Sequence, residues 1–251
     1  RDDLVTGVQT CALPIWDRLT IFVLTILALL LRLWGINQDL WLDEIATLVN
    51  NMRLSPLETL ATFNSANQHL LNSILGGFSI RLFGETAWAV RLPALLFGTA
   101  TIPVFFILAR LVTSRFEAIL ATLFLTFSYH HVWFSQNARG YSAMIFFTVL
   151  STLFLVRWLQ HESRHSSRNL WWFAICGALG MLSLLNYAFV LAGQFLAAMF
   201  CIPGKRKSSK FGQLLLCGVA IAGFSLLGYA AALPAMLDYF LSGGEIGRAH
   251  V

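Results

Sequence analysis

Long, mostly apolar runs recur along the chain and restrict its fold more than any other feature. A helix needs about 20 predominantly apolar residues to cross the hydrocarbon core of a bilayer. Seven runs are close to this length: 19–36, 91–111, 117–135, 142–159, 170–186, 188–203 and 211–233. Only 12% of the residues are charged, whereas soluble domains have about 25%. The sequence therefore predicts an all-α polytopic membrane protein with about seven transmembrane helices. It excludes a soluble enzyme, a disordered chain and a disulfide-stabilised domain.

Basic residues between the apolar runs indicate which side of the membrane each loop faces, because basic loops stay in the cytoplasm. The clusters are Arg110/Arg115, Arg157/Arg164/Arg168 and Lys205/Arg206/Lys207/Lys210. If all three are cytoplasmic, the seven runs alternate without conflict. A shorter apolar run, 69–84, then lies as an in-plane helix within a long outer loop, 37–90. The alternative, in which 69–84 crosses the membrane, would move all three clusters outside.

The two ends of the chain look foreign to the rest. The segment 5–15 reads VTGVQTCALPI, and 246–251 reads IGRAHV. One short DNA element, resembling a sequencing-library adaptor, encodes both when it is read in opposite directions. We therefore expect 1–15 and 245–251 to be adaptor-derived. The native part is then a transmembrane module, 16–244, that lacks the C-terminal part of its parent protein.

An acidic pair, Asp43 and Glu44, follows the first apolar run in the segment DLWLDEIATL. Adjacent helical residues point about 100° apart, so the two carboxylates need not share one role. They could simply be solvated side chains that start a helix. Alternatively, apolar neighbours such as Trp41 and Ile45 hold the pair against the membrane surface, where a partly desolvated carboxylate is a better base.

Cationic and imidazole side chains lie on the same predicted outer side. His69 precedes the in-plane helix, Arg91 opens the second span, and Arg139 lies in the turn FSQNARGYS. A guanidinium matches phosphate geometry, so the two arginines could hold an anionic headgroup. The plainer alternatives are an interfacial histidine and arginines that snorkel to the membrane surface.

No nucleotide or metal motif is present in the sequence: it has no GxGxxG, P-loop, GxSxG, HExxH or EF-hand pattern. The four cysteines are far apart and form no CxxC pair. The net charge of +5 is explained by basic cytoplasmic loops, and we expect no nucleic-acid partner.

Four segments in this order resemble one family of membrane enzymes. They are LWLDEIATL, NQHLLNSILGGFSIRLFGETAWAVRLPALLFG, ARLVTSRFEA and SQNARGYS. The chain resembles the glycosyltransferases of the dolichyl-phosphate-mannose–protein mannosyltransferase type, glycosyltransferase family 39 with its bacterial relatives, which include the aminoarabinose transferase acting on lipid A. The resemblance is good over 19–160 and looser over 170–233. It departs where the family often has His-Pro-Pro and this chain has His69-Leu70-Leu71.

The resemblance implies a GT-C membrane fold and an inverting transfer from a polyprenyl-phosphate-linked sugar to an acceptor hydroxyl on the outer side. Asp43 would be the general base and Glu44 would assist it. His69 would lie near the donor phosphate, and Arg91 and Arg139 would neutralise that phosphate as it leaves. Three further residues are expected to line the cavity: Asn67, Gln136 and Tyr141.

The partners that this predicts are a polyprenyl-phosphate sugar, a protein, lipid or glycan acceptor, and membrane lipid. The expected location is a bacterial inner membrane, with the site facing the periplasm. No cofactor is indicated, and the need for a divalent metal stays open. Two other classes remain as alternatives. A transporter or flippase should show inverted repeats with helices broken at mid-membrane, which the sequence lacks, and a noncatalytic polyprenyl-lipid binder would not need the intact Asp43–Glu44 pair.

Overall fold

The computed structural model describes residues 14–63, 68–160, 165–202 and 207–241, and all secondary structure in these ranges is helical. Its helices are α1 (Ile15–Leu33), α2 (Leu42–Thr47), a π-helical turn (Leu48–Met52), α3 (Pro56–Ala61), α4 (Leu70–Phe83), α5 (Ala87–Val112), α6 (Arg115–Phe127), α7 (Tyr129–Ser135), α8 (Tyr141–Gln160), α9 (His165–Ser183), α10 (Tyr187–Cys201), α11 (Lys207–Tyr229) and α12 (Leu233–Leu241). The predicted adaptor segments, except Pro14 and Ile15, lie outside the described residues, as does Asn67.

Within the described ranges, three helices are long and apolar enough to cross a membrane: Ala87–Val112, Tyr141–Gln160 and Ser209–Tyr229. Two shorter apolar helices, Leu70–Phe83 and Tyr187–Cys201, accompany them. The chain is therefore an all-α membrane protein, as the sequence predicts. The number of seven spans and the sidedness of the loops stay predictions.

Helix α5 is the central element, because α1, α4, α6, α7 and α8 all pack against it. Small residues allow this close approach, which membrane helices rely on in place of a hydrophobic driving force. At Gly98, an added Cβ would overlap the side chain of Ser135 on α7. On the far side of α8, a second apolar core joins α8, α9, α10 and α11 around the buried rings of Trp158 and Phe173.

The run predicted as one span, 117–135, is two helices rather than one. Helix α6 ends at Phe127, and Ser128 is extended, with φ −60° and ψ 118°. The hydroxyls of Thr122 and Thr126 donate to carbonyls one turn earlier, a bond that competes with the backbone ladder and bends helices. The break turns α7 toward the end of α1 and positions the loop that follows it.

The predicted helix at 69–84 is present as α4. It packs on the π-helical turn, where a Cβ at Gly77 would lie 2.8 Å from the Met52 carbonyl oxygen. It ends at Gly84, whose φ of +81° is in the left-handed region that favours glycine. The orientation of α4 in the membrane plane stays a prediction.

An acidic side chain joins three helices at the end of the bundle that contains the start of α1. Asp17, 3% exposed, accepts from Arg110 at 3.3 Å and from Arg115 at 3.0 Å. These residues belong to α1, α5 and α6, so one carboxylate stabilises the contact among all three. The residues singled out from the sequence lie at the other end of α1 and α5.

Candidate active site

The acidic pair lies in the first turn of α2, and its two side chains point in different directions. The side chain of Asp43 is 67% exposed, whereas that of Glu44 is fully buried. Glu44 caps its own helix, because Oε2 accepts from the Trp41 backbone N–H at 3.0 Å. Carboxylates here also favour the positive end of the helix dipole. The two residues therefore have separate environments, as their adjacent positions predict.

Glu44 forms a buried, bidentate ion pair with Arg91 of α5. Arg91 Nε donates to Oε1 at 2.9 Å, and Nη2 donates to Oε2 at 2.6 Å. The guanidinium also donates to the carbonyl oxygens of Ile36, Gln38 and Asp39, at 2.7–3.0 Å. A guanidinium has five N–H groups, and each of them has an acceptor here. Arg91 thus fixes both α2 and the loop that precedes it.

This arrangement favours a positioning role for Arg91. A donor phosphate would have to displace Glu44 or a backbone carbonyl to reach the guanidinium, and Arg91 is only 2% exposed. The contact between Arg91 and a phosphate, expected from the sequence, stays a prediction. Glu44 also has a structural role, because its Oε1 accepts a hydrogen bond from the backbone N–H of Ala138 at 2.7 Å.

Arg139 connects the exposed carboxylate to the predicted histidine. Its Nη1 donates to Asp43 Oδ2 at 2.8 Å, and its Nε donates to His69 Nε2 at 3.0 Å. The guanidinium carbon lies 5.6 Å from the centre of the Tyr141 ring, within the range of a cation–π contact. The fold therefore joins four of the predicted site residues, which are 98 positions apart at the extremes, in one contiguous cluster.

His69 is neutral in this cluster. An arginine N–H can only donate, so Nε2 of His69 accepts, and the ring proton lies on Nδ1, 3.4 Å from the carbonyl oxygen of Ser183. Burial, with a further contribution from the charge of Arg139, lowers the pKa of His69 from 6.5 to about 4. His69 holds Arg139 as a hydrogen-bond acceptor and carries no positive charge at neutral pH.

The loop that carries Arg139, residues 136–140, is held at several points. The side chain of Gln136 donates to the Arg32 carbonyl oxygen at 3.1 Å and to that of Trp34 at the end of α1. Asn72 donates to the Ala138 carbonyl oxygen at 2.9 Å. At Gly140 an added Cβ would overlap the Ser183 carbonyl oxygen, so only glycine fits there. Such a fixed loop gives the guanidinium of Arg139 a defined position.

Of the three residues expected to line a cavity, Tyr141 lies against the cluster, with its ring centre 5.4 Å from that of His69. Gln136 instead binds the last carbonyls of α1. Asn67 falls outside the described residues. Among the described residues no group of three or more His, Cys, Asp or Glu side chains converges as metal ligands would.

A third buried arginine, Arg32, was not predicted from the sequence. Arg32 is fully buried and donates to Ser135 Oγ at 3.2 Å and to the ring of His131. The contacts of Asn72, Gly140 and Ser183 with this cluster were not predicted from the sequence either. Gly140, directly after Arg139, was the one sequence feature that could have indicated a close contact at this loop. Its partner, Ser183, lies 43 residues further along the chain, and no sequence pattern links the two.

Comparison with known proteins identifies the class. Residues 71–229, more than half of the chain, match the family described as dolichyl-phosphate-mannose-protein mannosyltransferase. The chain belongs to this family of GT-C glycosyltransferases. No curated protein and no solved structure matches the chain. Arg91 and Arg139 lie inside the matched segment, whereas Asp43, Glu44 and His69 lie before it.

Replacing Arg91 with lysine should destabilise the protein by about 2–4 kcal/mol. Lysine keeps the charge but loses the planar fork, so Glu44 and three backbone carbonyls lose buried partners. Denaturant unfolding of the purified protein in detergent measures the change. The matched control is Arg53→Lys, because Arg53 pairs with Glu85 in the same bidentate geometry but is half exposed. Equal effects of the two substitutions would show that the buried Glu44–Arg91 pair stabilises the protein no more than the exposed Arg53–Glu85 pair does.

Stability should fall as the pH is lowered from about 6.5 to about 4. The folded pKa of His69 is depressed to about 4, below the unfolded value of about 6.5. The unfolded state therefore takes up the proton first as the pH falls. Above pH 6.5 His69 contributes up to about 3 kcal/mol to the free energy of unfolding, and this contribution is lost between about pH 6.5 and pH 4.

Thermal unfolding between pH 4 and pH 8 tests this. His69→Gln should flatten the decline, because an amide can still accept from Arg139 and donate to Ser183. His130→Gln, which removes an exposed imidazole, is the matched control. An unchanged profile in His69→Gln would mean that other groups cause the pH dependence.

Proposed function

We propose that the protein transfers a sugar from a polyprenyl-phosphate donor to an acceptor hydroxyl, with inversion at the anomeric carbon. The observation that supports this is the contact between Asp43 and Arg139. It places an exposed carboxylate, suited to accept a proton, next to a cation suited to stabilise a departing phosphate. Membership of a family described as acting with dolichyl-phosphate-mannose on proteins supports the lipid-linked donor and a protein as the first acceptor to test.

In the proposed reaction, the acceptor oxygen forms a bond to the anomeric carbon and loses its proton to Asp43. The bond between the anomeric carbon and the phosphate oxygen breaks on the opposite face, and its electron pair leaves with the polyprenyl phosphate. Arg139 stabilises this growing negative charge, which is where preplaced donors contribute most. His69 and Tyr141 hold Arg139, and the Glu44–Arg91 pair holds the helix that carries Asp43.

The exchange of partners at Arg139 is part of this proposal. Before donor binds, Arg139 pairs with Asp43 Oδ2 at 2.8 Å. The phosphodiester of the donor, like a carboxylate, carries one negative charge and presents a pair of oxygens that a guanidinium can bind, and its charge grows as the phosphate leaves. As the phosphate binds Arg139, Asp43 becomes available to the acceptor hydroxyl. The basic loops of the sequence support a site on the outer side of the membrane, which would be the periplasmic side in a bacterial inner membrane.

Replacing Asp43 with asparagine should reduce transfer by about 10²-fold or more, the low end of what a general base contributes. Donor binding should persist, because an amide retains the size of the side chain and an acceptor oxygen for Arg139. The assay is label transfer from a panel of polyprenyl-phosphate sugars to a panel of protein, lipid and glycan acceptors, using membranes that contain the full chain. Asp238→Asn, at an exposed carboxylate of α12, is the control.

Wild-type turnover that survives in Asp43→Asn would remove Asp43 as the base. Failure of the folded wild type to transfer label from any donor would instead favour a transporter or a noncatalytic lipid binder.

Arg139 should affect the use of donor more than the use of acceptor. Arg139→Ala is expected to raise the donor KM and lower kcat, together costing at least about 10²-fold in kcat/KM. Arg139→Lys should recover part of kcat, since it keeps a charge but not the fork. The comparison is the kcat/KM for each substrate with the other saturating. An unchanged donor kcat/KM in Arg139→Ala would reject the phosphate role.

A further inference from the structure

The loop directly before α2 forms a polar hollow beside the candidate base. An open surface depression of about 660 Å³ is lined by residues 37–42, which read NQDLWL. Sites for small ligands have volumes of about 300–1,000 Å³. Asp43 follows the last lining residue in sequence, so a ligand in this hollow would lie next to the carboxylate that the proposed function uses.

The backbone of this loop is fixed although its side chains face outward. Arg91 binds the carbonyl oxygens of Ile36, Gln38 and Asp39, and these bonds turn the carbonyls inward. The Ile36 side chain, 6% exposed, anchors the loop in the protein. Gly35, with a φ of +83°, accepts from the Gln38 N–H at 3.0 Å and closes the turn. A loop held this way is preorganised and loses little entropy when a ligand binds.

The side chains around the hollow combine one flat aromatic face with several hydrogen-bonding groups. Asn37, Gln38 and Asp39 are exposed, and within the described ranges their side-chain polar atoms make no hydrogen bond to the protein. Trp41 is 63% exposed. Amides donate and accept, and a carboxylate accepts, so this set matches a ring of hydroxyl groups. An indole face packs against the C–H face of such a ring, since aromatic side chains pair a large apolar surface with a polar edge.

We propose that the loop 37–42 is a binding site for a pyranose ring, with Trp41 as its stacking surface and Asn37, Gln38 and Asp39 as its hydroxyl partners. The inference rests on the proposed function for its place in catalysis: the ring is the sugar of the donor or a sugar unit of a glycan acceptor. Its contact with the loop is a binding property that can be measured without turnover. An exposed tryptophan at a membrane surface can instead be a lipid anchor, and the test separates the two.

The test compares Trp41→Ala, Trp41→Phe and Gln38→Ala with Trp34→Ala in the full chain in detergent. Trp34 is 84% exposed and does not line the hollow, so it is a matched control for loss of an exposed indole. The first measurement is saturation-transfer NMR with methyl glycosides of mannose, glucose, galactose and arabinose, with glycerol as a probe that lacks a ring.

We expect saturation transfer to at least one glycoside in the wild type. The signal should be reduced in Trp41→Ala and in Gln38→Ala. It should be preserved in Trp41→Phe and unchanged in Trp34→Ala. The second measurement is the KM for donor and for acceptor. Trp41→Ala should raise one of them about tenfold, equivalent to the loss of one aromatic contact, while Trp34→Ala changes neither. A rise in donor KM assigns the site to the donor sugar, and a rise in acceptor KM assigns it to an acceptor glycan.

Two results would overturn the proposal and leave Trp41 as a lipid anchor. One is an equal loss of signal in Trp41→Ala and Trp34→Ala. The other is the absence of a signal with any glycoside, together with unchanged KM values. The proposed function fails in a different way. If the wild type transfers no sugar but the Trp41-dependent glycoside signal persists, then the sugar site stands and the catalytic assignment of Asp43 does not. Asp43→Asn should retain the glycoside signal, which confirms that binding and chemistry are separate.

Discussion

The buried pair between Glu44 and Arg91 is the interaction on which the rest of the outer end depends. Removing two charges from water is costly, and the cost is recovered only when every donor and acceptor is satisfied. Here the guanidinium has five acceptors, and the carboxylate accepts from Arg91, Trp41 and Ala138. This one pair therefore joins the start of α5, the loop after α1, the first turn of α2 and the loop that carries Arg139. The Asp43 side chain can stay exposed in a fixed position because the residues that hold its helix are buried.

A division of labour between neighbouring residues follows from this geometry. Asp43 and Glu44 are adjacent and chemically alike, yet one faces solvent and the other lies in the protein interior. Arg91 and Arg139 are both buried, yet all five N–H groups of Arg91 bind the fold, whereas Arg139 contacts the exposed carboxylate of Asp43. His69 belongs with the supports, because a neutral ring can accept from Arg139 and cannot attract an anion.

Much of the fold follows from patterns that are local in sequence. Apolar runs of the length of a bilayer locate the helices, and the helix at 69–84 is visible as a shorter run of the same kind. The break at Ser128 is less visible, because apolar content continues across it. The residue types of the site are also apparent, since acidic, basic and imidazole groups are rare in such a chain. Their pairing is not, because Arg91 and Arg139 have the same local signature and the choice between Glu44 and Asp43 depends on helix packing.

The bond between Asp43 and Arg139 has a thermodynamic consequence for a two-substrate enzyme. A ligand that draws the guanidinium away from the carboxylate changes the free energy of every event at that carboxylate. Such coupling is reciprocal, so whatever factor one substrate adds to the affinity for the other is returned in equal measure. In the proposed reaction this ion pair is broken only once, so its loss is shared by both substrates. It favours a site that holds its two substrates together over one that holds either alone.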